Sequence, residues 1–152
     1  MKIKHSDSFT IIEILVVISV ISILLGVIIP RFKGMQDEAN KSKAKTELKT
    51  LQTALESWYI NHNPNAYPDV SDSICSSNLN SAEPLIVSTV LYDPFRGGLG
   101  YEYSYILSPN GRYYVLFSYG PNGSKDISDI DDDGTLSGLE QDDIFVTNGV
   151  GF

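Results

Sequence analysis

Cysteine is nearly absent from this chain. Cys75 stands alone among 152 residues, which excludes an internal disulfide, and with no second cysteine or histidine beside it the thiol is expected to be idle. Histidine is equally scarce: His5 lies near the N-terminus and His62 at a predicted helix end. No nucleophile elbow, phosphate-binding loop or zinc-ligand spacing accompanies them, so an enzyme is not expected. Positive charge is missing from the last stretch. From Pro121 onward there are eight acids and only Lys125, which accounts for seven of the eight net negative charges and argues against a nucleic-acid partner. Internal repeats and low-complexity linkers are also lacking, so one compact domain with a stalk or tail is the expectation.

What the chain does have is the run Phe9–Pro30, FTIIEILVVISVISILLGVIIP, with one charge at Glu13 followed by sixteen uncharged residues, Ile14 to Ile29. At 1.5 Å per helical residue it reaches about 30 Å, the hydrocarbon thickness of a bilayer. A cleaved secretory signal would be shorter and would precede a small-x-small site; here Pro30-Arg31-Phe32-Lys33 follows, so the span is expected to stay. Glu13 is the oddity. A carboxylate at that depth costs several kcal/mol unless partnered or close enough to the interface to reach water. Lys2 and Lys4 before the span balance Arg31 and Lys33 after it, so positive charge alone does not set the topology. Pro30 removes a hydrogen bond to the carbonyl of Gly26, which predicts a kink or local melting near 26–30.

Ser8-Phe9-Thr10-Ile11-Ile12-Glu13-Ile14 resembles the Gly-Phe-Thr-Leu-Ile-Glu-Leu signature of type IV pilins and type II secretion pseudopilins. The resemblance implies that a prepilin peptidase cuts between Ser8 and Phe9 on the cytoplasmic side and that the new N-terminus is methylated. It further implies assembly roles for Phe9, Glu13 and Pro30. The α-ammonium on Phe9 of one copy would pair with Glu13 of a neighbour in an apolar filament core, each offsetting the other's desolvation. The sequence departs from the family in having Ser8 where Gly is preferred, and Ser22 where a mid-span Gly is common.

Arg31 to Asn61 reads as a continuing helix. Phe32, Met35, Ala39, Leu48, Leu51, Leu55, Trp58 and Tyr59 recur at three- and four-residue intervals, and lysines 41, 43, 45 and 49 mix with Asp37, Glu38, Glu47 and Glu56 on a solvated face. Asn63-Pro64 ends it. A helix of about fifty residues would be near 75 Å long. Residues 62–91 read as connecting loop, with a short helix near Ala82–Val90. Tyr101, Tyr103 and Tyr105 alternate with Glu102 and Ser104, the period of a half-exposed strand. Arg112–Tyr119 and Ile144–Thr147 are two further strands, the first set off by the turn Ser108-Pro109-Asn110-Gly111.

Asp93-Pro94, then Ser118-Tyr119-Gly120-Pro121-Asn122-Gly123, then Asp142-Asp143-Ile144 resemble three motifs of the major pseudopilins. The resemblance implies that the last two hold one calcium ion, with Asn122, Asp142 and Asp143 among its ligands. Between them lies Asp129-Ile130-Asp131-Asp132-Asp133-Gly134-Thr135-Leu136-Ser137-Gly138-Leu139-Glu140, which fits the EF-hand loop. Asp129, Asp131 and Asp133 occupy positions one, three and five, Gly134 the turn, Thr135 the backbone-carbonyl position and Glu140 the closing bidentate position. An oxygen-rich, flexible loop favours calcium over magnesium. Flanking helices are not evident, so a structural staple is expected rather than a sensor.

The expected fold is α+β and pilin-like. Residues 1–8 would be a leader and 9–30 a transmembrane or filament-core helix. Residues 31–152 would be a periplasmic domain, comprising helix 31–61, loop 62–91, and a small antiparallel sheet with a calcium-binding C-terminal loop over 92–152. As the resemblance implies, the protein would sit in the bacterial inner membrane with its N-terminus in the cytoplasm. After cleavage it would polymerise with other copies of itself into a periplasmic filament driving protein export, with an inner-membrane assembly platform and minor pseudopilins as partners. Two alternatives stand beside this: a type IV pilus subunit for adhesion, motility or DNA uptake, and an anchored calcium-binding module that never polymerises.

Overall fold

The computed structural model describes residues 9–69, 79–80, 85, 87–97, 100–138 and 142–152. It divides into two compact units between Glu38 and Ala39. The expected leader, Cys75 and most of the 70–86 loop lie outside the described residues; Leu85 and Val87–Val90 carry no helix.

Helix α1 runs Ile11–Asn61 without a break at Pro30. The proline removes one bond of the ladder, and the bonds on either side carry the helix through, so the expected melting does not occur. Phe32 and Met35 in the first unit are 66% and 72% exposed, unlike the stripe expected of them. In the second unit Ala44, Leu48, Leu51, Ala54 and Leu55 are buried, at the three- and four-residue spacing of one face.

That face covers a three-stranded antiparallel sheet, β1 (Ser104–Leu107), β2 (Tyr114–Ser118) and β5 (Ile144–Thr147), in the order β1-β2-β5. Tyr103, Tyr105, Tyr114 and Leu116 point to the helix and share its core. Two of these tyrosines also reach helix carboxylates: Tyr103 Oη donates to Glu47 Oε2 at 2.6 Å, and Tyr114 Oη to Glu56 Oε1 at 2.7 Å. Tyr105 Oη instead donates to the carbonyl of Pro68 at 3.1 Å.

The expected half-exposed first strand is corrected. Glu102 and Ser104 are buried along with Tyr103 and Tyr105, Tyr101 is exposed, and β1 begins only at Ser104. The cause is a second hairpin, β3 (Ile127–Ile130) and β4 (Leu136–Gly138), where the sequence reads as a loop. Its Ile127, Ile130 and Leu136 pack with Val115 and Phe117 on the sheet's other face. The sheet is therefore buried on both sides, α1 on one and the hairpin on the other.

Candidate functional site

Three places bear on function: the start of α1, the acid-rich hairpin, and the junction of the hairpin with β5.

At the start of α1, Thr10 caps the helix. Glu13 Oε2 accepts from Thr10 N and Thr10 Oγ1, both at 2.7 Å, and Glu13 N donates to Thr10 Oγ1 at 3.3 Å. This reciprocal pairing is a capping box written as Thr-Ile-Ile-Glu, and it gives Glu13 partners within its own chain. Phe9 is 80% exposed, and Ser8 lies outside the described residues. From Ile11 to Ile29 the large apolar side chains are 48% to 88% exposed. Helix α1 is long and apolar enough to cross a membrane, and nothing in the described chain covers that stretch. Ser19 and Ser22 bond back to the carbonyls of Leu15 and Ile18 at 2.7 Å, so their hydroxyls carry no unmet demand into an apolar medium.

The tip of the hairpin is Asp131 to Thr135. Asp131 N donates to Thr135 O at 2.9 Å and Gly134 N to Asp131 O at 3.0 Å, closing the turn. Gly134 sits at φ 87 against Gly149 and Tyr113, where a Cβ would crowd both. Asp132 fastens the tip to the β1–β2 turn: Asn110 N donates to its Oδ1 and Asn110 Nδ2 to its carbonyl, each at 2.8 Å. Asp133 Oδ1 accepts from Thr135 N at 2.9 Å. This N–H, with the Thr135 hydroxyl, holds the Asp133 carboxyl below its ordinary range. Asp129 turns back to Ile130 N at 2.8 Å. Of the EF-hand-like positions, Asp129, Asp131 and Asp133 are thus exposed side chains on a β-hairpin, and Glu140 lies outside the described residues. Among the described residues no three acidic, histidine or cysteine side chains gather as a ready-made metal cluster.

The junction is different in kind. Asp143 Oδ2 accepts from Asp126 N at 3.0 Å and Ile127 N at 2.9 Å, while Asp142 Oδ2 accepts from Asn122 N at 2.8 Å. Asn122 Nδ2 donates to Asp126 Oδ2 at 3.3 Å. The second oxygens, Asp142 Oδ1 and Asp143 Oδ1, are buried with no hydrogen-bond partner. Burial, against two stabilising N–H groups and with the charges of Asp126 and Asp142 nearby, raises the Asp143 carboxyl above its ordinary range. Gly120, at φ 64, brings its backbone so close to Asp142 O that a Cβ would sit 2.2 Å away. Asp126 was not singled out from the sequence. The available signal was only its place in the acidic run, and its role depends on β3 being carried back beside residue 143.

A hard cation fits this junction. Two orphaned carboxylate oxygens are hydrogen-bond acceptors without donors, a cost that a cation removes. With fewer than three acids converging, the remaining oxygens of a six- to eight-fold shell would come from Asn122, backbone carbonyls and water.

Residues 31–136 match the family model described as type II secretion system protein G, and residues 3–29 match the prokaryotic N-terminal methylation motif. The type II secretion system core protein G of Escherichia coli K12 is 30% identical over 135 residues, covering 88% of this chain and 86% of that protein. The protein of the same name from Vibrio cholerae is 26% identical over 139 residues, covering 90% and 88%. A type IV major pilin, PilA of Myxococcus xanthus, is 40% identical over 55 residues, 36% of this chain and 25% of that one. No solved structure matches.

Proposed function

Because this chain belongs to the type II secretion protein G family, the major pseudopilins, we propose that it is the repeating subunit of a periplasmic filament that drives protein export. The observation that carries the reading is the apolar surface from Ile11 to Ile29, exposed on a helix long enough to span a bilayer and lying within the match to the methylation motif. In the membrane, lipid covers that surface; in a filament, the same surface of neighbouring copies does. Prepilin peptidase cuts between Ser8 and Phe9, and the freed Phe9 ammonium of one copy takes up Glu13 of its neighbour. That exchange replaces the Thr10 donors of the capping box with a charged partner and fixes the axial stagger. An inner-membrane assembly platform and minor pseudopilins act on the subunit during growth. No catalytic role is assigned.

Calcium is proposed at the Asp142–Asp143 junction, with Asn122 and Asp126 beside it. When bound it supplies positive charge to the orphaned oxygens and fastens β3 to the start of β5. At an affinity of the extracellular-module class, about 10⁻⁴ M, 10 mM calcium adds about 2.7 kcal/mol of stability. In a soluble fragment from Lys33 onward, of roughly 120 residues, the melting midpoint should then rise by about 10 °C over chelator. An unchanged midpoint would sink the calcium assignment. For the filament, Glu13→Ala should insert into membranes normally yet yield no filaments and no export. Undiminished filaments from that variant would sink the pairing.

A further inference from the structure

Lysines 41, 45 and 49 stand four residues apart and so form one row along α1. Like charges at that spacing repel, which makes the row a cost to the helix unless anions lie beside it. The structure supplies them. The three lysines line a cleft of about 580 Å³ together with Leu48 and, from the start of β5, Asp142 and Asp143. Charge in this cleft is unsettled on both sides. Asp142 Oδ1 and Asp143 Oδ1 are buried without a hydrogen-bond partner. Lys45 and Lys49 are exposed and make no ion pair among the described residues, whereas Lys43, which does not line the cleft, is paired with Glu47 at 3.9 Å. Lys125, the neighbour of Asp126 in the chain, is directed elsewhere, its ammonium 5.7 Å from the centre of the Phe117 ring.

We propose that Lys45 and Lys49 compete with calcium for the Asp142–Asp143 junction. Without the ion their ammonium groups turn into the cleft and serve the two carboxylates as counterions; when calcium binds they give the carboxylates up. The proposal rests on the calcium assignment above and adds what holds the junction when calcium is scarce. Three features support it. The orphaned oxygens are shut off from water, so the donors they lack must come from the protein or from an ion. The carboxylates are pinned by backbone N–H groups of Asn122, Asp126 and Ile127, so they are the fixed partners. Each lysine carries three donors on a flexible four-carbon stem, so it is the partner that moves. The exchange has a direction. An ammonium brings one charge and no ligand shell, whereas a divalent ion draws six to eight oxygens together, so calcium displaces the lysines once it is abundant. Two effects of opposite sign follow. The lysines stabilise the calcium-free domain, by screening two acids that otherwise repel each other, and they weaken calcium binding, because their ion pairs must break to admit it.

The test uses the full chain in detergent micelles, with calcium affinity read by titration calorimetry and stability by thermal unfolding. Lys45→Gln with Lys49→Gln should tighten calcium binding about fivefold, since no ion pair then has to break. In chelator the same variant should melt about 3 °C lower, and in saturating calcium at the midpoint of the unaltered chain. Lys33→Gln with Lys43→Gln removes the same charge from two lysines that do not line the cleft, and should leave the affinity unchanged. Unchanged affinity in the cleft variant overturns the exchange and leaves the calcium assignment standing. Equal tightening by both variants overturns it too, because charge anywhere on the chain would then serve. Tighter binding without the loss in chelator means that the lysines only repel the ion, and the counterion role falls. If the unaltered chain takes up no calcium, the calcium assignment falls and the exchange with it.

Discussion

Tyr114→Phe removes a single oxygen from a buried residue that joins the sheet to α1. Its hydroxyl donates to Glu56 Oε1 at 2.7 Å, and Tyr67 Oη is the carboxylate's other phenol partner at 3.1 Å. A hydrogen bond to a charged group contributes about 1.5–3 kcal/mol, and partial exposure of Glu56 places this one near the lower figure. For roughly 120 residues the unfolding entropy converts 1.5 kcal/mol to a fall in Tm of about 6 °C. The assay is thermal unfolding of the fragment from Lys33, run as a cycle with Glu56→Gln and the double variant. The cycle should return a coupling of about 1 kcal/mol, and the double variant should melt no lower than the sum of the single effects. Tyr92→Phe, on an exposed ring, is the control and should move Tm by less than about 1 °C. A Tyr114→Phe shift equal to that of the control, or zero coupling to Glu56, would refute the claim that tyrosine–carboxylate links tie the sheet to the helix.

The same network predicts alkaline sensitivity. Burial and the Glu56 charge push the Tyr67 phenol up to about 12, and burial raises Tyr105 and Tyr114 as well. A folded-state value above the unfolded one, about 10, means the stabilisation is full below pH 10 and is lost as pH climbs toward 12. Urea midpoints that stay level from pH 9 to 12 would contradict this. At the acid junction, Gly120→Ala would force a Cβ to 2.2 Å from Asp142 O at a positive φ, whereas at Gly111, also at positive φ, a Cβ meets open space. Gly111→Ala should cost about 1 kcal/mol and keep the calcium-dependent rise in Tm. Gly120→Ala should cost more and abolish that rise; retention of the rise would detach the junction from calcium.

The sequence by itself determined what depends on neighbours along the chain. The apolar run to Ile29, the Leu48-Leu51-Leu55 stripe, the stop at Asn61 and the strands around Tyr114 and Ile144 are all legible there. Each is a local period or a local cap, and the structure holds them where they were read. Tertiary structure alone decided the rest. Asp129–Glu140 reads as a loop because its carboxylates hide two short strands, whose Ile127, Ile130 and Leu136 gain their meaning only against Val115 and Phe117. That packing turned an expected half-exposed strand into a sheet buried on both faces. It also carried Asp126 back beside Asp143 across 17 residues and left two carboxylate oxygens without donors. Local signals are set by backbone and side-chain preferences within a few residues. Which distant carboxylates come to lie beside one another is set by how the chain closes, and no stretch of sequence carries that information alone.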